Sequence, residues 1–182
     1  MQEISDAMKG DAVADRVVEN SPEEVPDIPT IVENVAIFAL DEAKEKLEQG
    51  ADVIPFSALV VKGNLFIETH PGDTPDECFA DARRTVQGAR GADAYAFCYD
   101  GYIDTDDGQK DALIAEGGIP GGETAYAIGY LYDFNSDGVP VFEPDPAYVG
   151  EAPNFMGDLK EADQYSAEEI KSRYLDPDIP EE

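Results

Sequence analysis

ADAYAFCYDGYIDTDDGQKDALIAEGGIPGGETAYAIGYLYDF, residues 92–134, is the stretch that decides the fold. Its alternating side chains and its turns rich in Asp and Gly predict three consecutive β-strands, at residues 94–104, 110–117 and 125–133. Six of the nine tyrosines lie in these strands, and tyrosine suits a half-buried pleated surface. Because the connections have hairpin length, we expect the strands to pair antiparallel and to form the middle of a sheet.

The turn at residues 106–108 sets the register of the first two strands. A two-residue loop would place two aspartates opposite each other. A three-residue loop with its glycine in the left-handed conformation instead pairs Asp104 with Lys110, which cross-strand electrostatics favour. In that register Asp100 lies diagonally from Glu116 on the same face of the sheet.

Two helices are predicted outside this stretch. Apolar residues at helical spacing follow Thr30, a second helix begins at Thr74, and each threonine stands three residues before a glutamate, as in a capping box. Alternating segments at residues 52–61 and 65–69 add two strands. We therefore predict an α+β domain over residues 30–143, with an antiparallel sheet of five to six strands and both helices packed on one face.

The two ends of the chain are expected to be less regular. Residues 1–29 have the composition of an acidic arm followed by a proline-rich linker. Residues 144–182 predict an irregular extension with a short helix after Ser166, which has capping-box spacing with Glu169, and an acidic tail.

Charge narrows the classes of partner. The 182 residues hold 41 acids against 12 bases, for a formal net charge of −29. Phosphate contacts need a basic patch, so we expect no nucleic-acid binding and no binding to an anionic membrane surface. No apolar run has the roughly 20 residues that a bilayer crossing needs, and no signal-peptide pattern begins the chain, so we expect a cytoplasmic location. A solvated surface suited to a salty or acidic-proteome host, docking to a basic protein partner, and cation binding each explain the charge.

Asp100 and Glu116 are the candidates for general acid–base chemistry. If a helix covers their shared face, the two carboxylates perturb each other's pKa values. If that face is open, they are ordinary polar residues of a solvated sheet.

Asp133, Asn135 and Asp137 are candidate metal ligands, because with the following glycine they match the first half of an EF-hand loop. The twelfth loop position holds Pro144 instead of a bidentate glutamate, and a plain hairpin turn explains the same residues. A second acidic turn at residues 104–108 offers oxygen ligands to Ca²⁺ or Mg²⁺.

His70 is the only histidine, and Cys78 follows eight residues later. A Cys–His pair for nucleophilic catalysis is conceivable on this spacing. Cys78 and Cys98 also suit small packing positions, in a helix and a strand respectively. With no C-x-x-C spacing, the cysteines indicate neither a zinc site nor a disulfide framework.

The segments CYDGY at residues 98–102 and DALIAE at residues 111–116 resemble uncharacterised bacterial proteins built on a domain of unknown function. The resemblance covers less than half of the chain and implies no activity. Two hypotheses follow. The first is a non-enzymatic binding or assembly domain. Its partner could also be a second copy of the chain, in a homodimer. The second is a small enzyme that uses Asp100 and Glu116, with or without a divalent cation.

Overall fold

The computed structural model describes residues 25–169 and shows one antiparallel sheet with two α-helices. The helices are α1 (Thr30–Glu48) and α2 (Pro75–Gln87). The strands are β1 (Phe56–Val61), β2 (Asn64–Thr69), β3 (Ala94–Thr105), β4 (Gly108–Gly118), β5 (Ala125–Phe134), β6 (Pro140–Phe142) and β7 (Ala147–Ala152). The strand order is β2-β1-β3-β4-β5-β6, and β7 pairs with β5 as well. The predicted α+β class with an antiparallel sheet is confirmed.

The two faces of the sheet carry different cores. On β3, small residues such as Ala96 face α1, while large aromatics such as Phe97 face α2. The helices therefore lie on opposite faces, and the expectation that both cover one face is wrong. The physical reason is that β3 is buried on both sides, so each side needs a cover. All seven apolar positions that the helical spacing assigned to α1 are buried: Val32, Val35, Ala36, Ala39, Leu40, Ala43 and Leu47.

The register of β3 against β4 differs from the prediction by one residue. Thr105 pairs with Gly108, so the loop has only two residues. Asp104 pairs with Gln109, so neither of the two partners considered for it, an aspartate or Lys110, lies opposite it. The Thr105 hydroxyl accepts from the backbone N–H of Asp107 at 3.1 Å and donates to the Gly108 carbonyl at 2.7 Å. Because side chains alternate, a one-residue shift moves every β4 side chain to the other face, and burial of those side chains outweighs one exposed charge pair.

Helix starts were predicted with mixed success. The Thr74 hydroxyl accepts from the backbone N–H of Glu77 at 3.2 Å, as the capping box requires. Thr30, by contrast, is the first residue of α1, and Pro29 stands at the N-cap without a side-chain cap. The Ser166–Glu169 capping box is present, with reciprocal hydrogen bonds of 3.1 and 3.2 Å.

The segment after residue 143 takes part in the folded core. It supplies β7, and Phe155 and Met156 are buried against the aromatic side of β3. Residues 1–24 of the arm and linker predicted over residues 1–29 lie outside the described residues. So do residues 170–182, which hold the rest of the predicted short helix and the predicted acidic tail. Within residues 25–169, neither helix has the length and apolar character that crossing a bilayer requires.

Candidate functional site

The side chain of His70 is fully buried where the chain leaves β2. Its backbone N–H donates to the Pro55 carbonyl at 2.7 Å, which holds the residue beside the start of β1. Its ring lies edge-on to that of Phe97, with the centroids 6.3 Å apart. The contact with Phe97 places the imidazole on the α2 side of the sheet, where a buried polar ring needs polar partners.

Ser57 and Asp81 supply those partners. Ser57 lies on β1 between Glu68 of β2 and Phe97 of β3, so its side chain points to the α2 side, where its Oγ hydrogen-bonds His70 Nε2. On the other side of the ring, Nδ1 lies 2.8 Å from Asp81 Oδ2 on α2. A neutral imidazole satisfies both contacts when Nδ1–H donates to the carboxylate and the serine hydroxyl donates to Nε2.

The electrostatics of the cluster follow from its hydrogen bonds. The hydrogen bond from His70 lowers the pKa of Asp81, and the Arg84 guanidinium, 3.0 Å from the other carboxylate oxygen, lowers that pKa further. Burial raises the pKa of the Cys78 thiol, which lies 3.9 Å from the Gly72 carbonyl. A raised pKa leaves less of the nucleophilic thiolate, and the imidazole contacts Ser57 and Asp81, so the geometry gives no support to the predicted Cys–His pair.

The connectivity of serine, histidine and aspartate is that of a hydrolase triad. A nucleophile must also reach a substrate, yet the Ser57 and His70 side chains have no exposed surface. Three clefts of about 730, 200 and 300 Å³ open on the described surface, and none of the three is lined by Ser57, His70 or Asp81. Attack on a substrate by Ser57 would therefore require the core to open.

Asp100 and Glu116 are both buried, but on opposite faces of the sheet. Glu116 pairs with Phe97 in the ladder and accepts a hydrogen bond from the Tyr99 hydroxyl on the α2 side. Asp100 accepts from the Tyr132 hydroxyl at 2.8 Å on the α1 side. The expectation that they share one face is wrong because of the register shift, so they form no carboxylate pair. An individual catalytic role for either stays a prediction.

Asp133, Asn135 and Asp137 lie in or beside the exposed hairpin turn between β5 and β6. The Asn135 side-chain oxygen accepts hydrogen bonds from the backbone N–H groups of Asp137 at 2.9 Å and of Val139 at 3.0 Å. Asparagine commonly stabilises turns in this way. Asp133 lines the cleft of about 300 Å³ together with Lys110, whose side chain already places a positive charge there. Metal binding by these residues stays a prediction.

Ser57 and Asp81 were missed by the reading of the sequence, although weak signals exist. Ser57 lies at a buried position of β1, and a buried polar side chain needs a hydrogen-bond partner. Asp81 lies three residues after Cys78 and next to Ala82, at the margin of the buried stripe of α2. Neither signal indicates that Ser57 and Asp81 contact the same histidine, because only the fold brings β1, the loop after β2, and α2 together.

A second feature of the surface is the edge strand β2. All six of its residues are exposed, and the side chains of Leu65, Phe66 and Ile67 are 44%, 54% and 50% exposed. Pairing with β1 places Leu65 and Ile67 on the α1 side and Phe66 on the α2 side. Next to Ile67, a cleft of about 200 Å³ has apolar walls from Ile54 and Phe56.

Comparison of the chain with protein-family models, with curated proteins and with solved structures finds no match.

Proposed function

We propose that this domain is a non-enzymatic binding module that pairs β2 with an extended segment of a basic partner protein. The observation that carries the proposal is the edge position of β2 together with the exposure of Leu65, Phe66 and Ile67. A cytoplasmic location, and a partner that is neither nucleic acid nor membrane, belong to the same proposal.

Edge strands offer backbone N–H and C=O groups to any strand that can approach. Proteins protect such edges with proline, lysine or a bulge. β2 contains neither proline nor lysine, and its six residues pair with β1 without a register shift. A partner strand would gain main-chain hydrogen bonds along β2, while its alternate side chains would contact Ile67 on one side and Phe66 on the other.

The surroundings of β2 indicate the chemistry of the partner. The cleft beside Ile67 accepts an apolar side chain, and Glu42 and Asp52 stand with Lys46 in its lining. Acids exceed bases there, as they do over the whole chain, whose formal charge is −29. A basic segment that alternates with apolar residues complements this surface. Two copies of the chain would each carry that negative charge and repel one another, which disfavours a homodimer.

The test uses a short synthetic peptide of alternating valine and lysine, with a valine–glutamate peptide as the charge control. We expect the lysine peptide to bind and to slow hydrogen exchange of the β2 amides. Ile67→Lys should weaken binding by about tenfold or more, because it removes apolar area and adds a like charge. Val141→Lys is the matched control, since Val141 is 55% exposed on the opposite edge strand β6.

Three results would overturn the proposal. The first is equal binding of both peptides, the second is equal loss of affinity in Ile67→Lys and Val141→Lys, and the third is binding without protection of β2 amides. A stable dimer that Ile67→Lys dissociates would assign β2 to a second copy of the chain instead of a basic partner.

A further inference from the structure

We propose that Glu68, His70 and Asp81 form a binding site for a divalent transition-metal cation of the Zn²⁺ class. The site shares Glu68 with β2, but it does not depend on the strand-pairing proposal. One ligand atom from each of the three side chains lies within 4.8 Å of the other two. Two carboxylates and one imidazole are a mixed oxygen and nitrogen set, which suits a transition metal better than Ca²⁺.

The fold brings the three ligands from three different elements. Glu68 is on β2 opposite Ser57, which directs its side chain to the α2 side, and His70 follows two residues later. Asp81 comes from α2 and holds His70 Nδ1 at 2.8 Å. Zinc ligands lie about 2.0–2.2 Å from the ion. His70 Nδ1 and Asp81 Oδ2, now 2.8 Å apart, must therefore separate to admit the ion, while the Glu68 carboxylate moves closer. The Glu68 side chain is exposed, so the core does not prevent its movement toward the ion.

Each of the two carboxylate ligands already has an outer hydrogen-bond donor that orients it. Arg84 donates to Asp81 Oδ1 at 3.0 Å, which leaves Oδ2 facing the site. Thr85 donates to Glu68 Oε2 at 2.9 Å. Metal-binding carboxylates and histidines typically have such outer partners. A simple pair of His70 and Asp81 would require neither Glu68 nor Thr85, which donates to Glu68 from the next turn of α2.

The buried serine completes the arrangement around the imidazole. Without metal, Nδ1–H donates to Asp81. With metal on Nδ1, the proton moves to Nε2 and is donated to the Ser57 oxygen, so the imidazole stays neutral and no proton is lost from it. Solvent reaches the cluster from the Asp81 and Glu68 side, while His70 closes the inner side. Three protein ligands with one open side match a zinc site that keeps a water molecule.

The experiment titrates the full chain with Zn²⁺, first freed of metal by chelator, and follows binding by calorimetry and by NMR of the imidazole. His70 is the only histidine, so its ring signals need no assignment. We expect Zn²⁺ to shift those signals at one equivalent, and excess Ca²⁺ to leave them unchanged. Glu68→Gln should lower the affinity by about tenfold or more.

Glu48→Gln is the matched control, because it removes one exposed acid from α1, which covers the opposite face of the sheet, and should leave the affinity unchanged. The proposal fails if Zn²⁺ binds without moving the His70 signals, since the ion then sits elsewhere on the acidic surface. It also fails if the two variants weaken binding equally, or if no Zn²⁺ binds at all. Glu68 is exposed, so its substitution tests the site without the risk of unfolding the core.

Discussion

Replacement of Ser57 by alanine is the sharpest test of the buried serine–histidine–aspartate chain. The change deletes the hydroxyl that contacts His70 Nε2. Both side chains have no exposed surface, so water does not replace the lost hydroxyl without opening the core. An unpaired polar group in such a position costs about 1–3 kcal/mol. We expect Ser57→Ala to lower the free energy of unfolding by about 2 kcal/mol.

Asp81→Asn should cost less than Ser57→Ala, although it alters the same chain of hydrogen bonds. The amide keeps an oxygen that accepts from His70 Nδ1–H. The Asp81 side chain is 36% exposed, so solvent screens the charge that the variant removes. We expect a loss of no more than about 1 kcal/mol. The predicted order of the two variants therefore follows from burial, not from the formal charge of the residue.

Urea unfolding at pH 7 in the presence of chelator measures both variants without any contribution from metal. With an m-value of about 2 kcal/mol/M, a loss of about 2 kcal/mol lowers the midpoint by roughly 1 M. Ser136→Ala, in the exposed β5–β6 turn, is the control and should stay within about 0.5 kcal/mol of the parent. The reasoning is refuted if Ser57→Ala also stays within that margin, or if Asp81→Asn proves the more destabilising variant.

Two further predictions concern packing and pH. A Cβ atom on Gly129 would lie 2.5 Å from Ile103 Cδ1 and 3.1 Å from Val149 Cγ1, so Gly129→Ala should cost about 1–3 kcal/mol in urea unfolding. Addition of Ile103→Val, which deletes the clashing methyl group, should restore part of that loss, and an additive double variant would contradict the contact. Hydrogen bonds from the Ser166 backbone and hydroxyl lower the pKa of Glu169, so its stabilising effect should be present above the ordinary value of 4.5 and lost as pH falls through the lower folded value. An NMR titration should show that pKa rising in Ser166→Ala, and an unchanged pKa would contradict the capping box.

Local sequence patterns located most of the regular elements. The predicted strands at residues 94–104, 110–117 and 125–133 correspond to β3, β4 and β5 within two residues at each end. Every apolar position assigned to α1 is buried. These elements depend on periodicity, β-propensity and turn residues, which act between near neighbours and can therefore be read without the fold.

The site depended on register and could not be read in the same way. Attraction between opposite charges predicted that Asp104 pairs with Lys110, but Asp104 pairs with Gln109. That single shift separates Asp100 from Glu116 by the thickness of the sheet. Charge pairing at a solvated turn contributes a few tenths of a kcal/mol to about 1 kcal/mol, whereas the burial of β4 side chains contributes more in total.

The sequence by itself determined the fold class, the position of each long strand, the amphipathic helices and the acidic character of the surface. Only the tertiary structure decided which face each helix covers, which strand is left at the edge, and that Ser57, His70 and Asp81 meet. The physical reason is range. Propensity and periodicity act over a few residues, but the Ser57–His70–Asp81 hydrogen bonds connect β1 with α2. They form only once β1 has paired within the sheet and α2 has packed on its face.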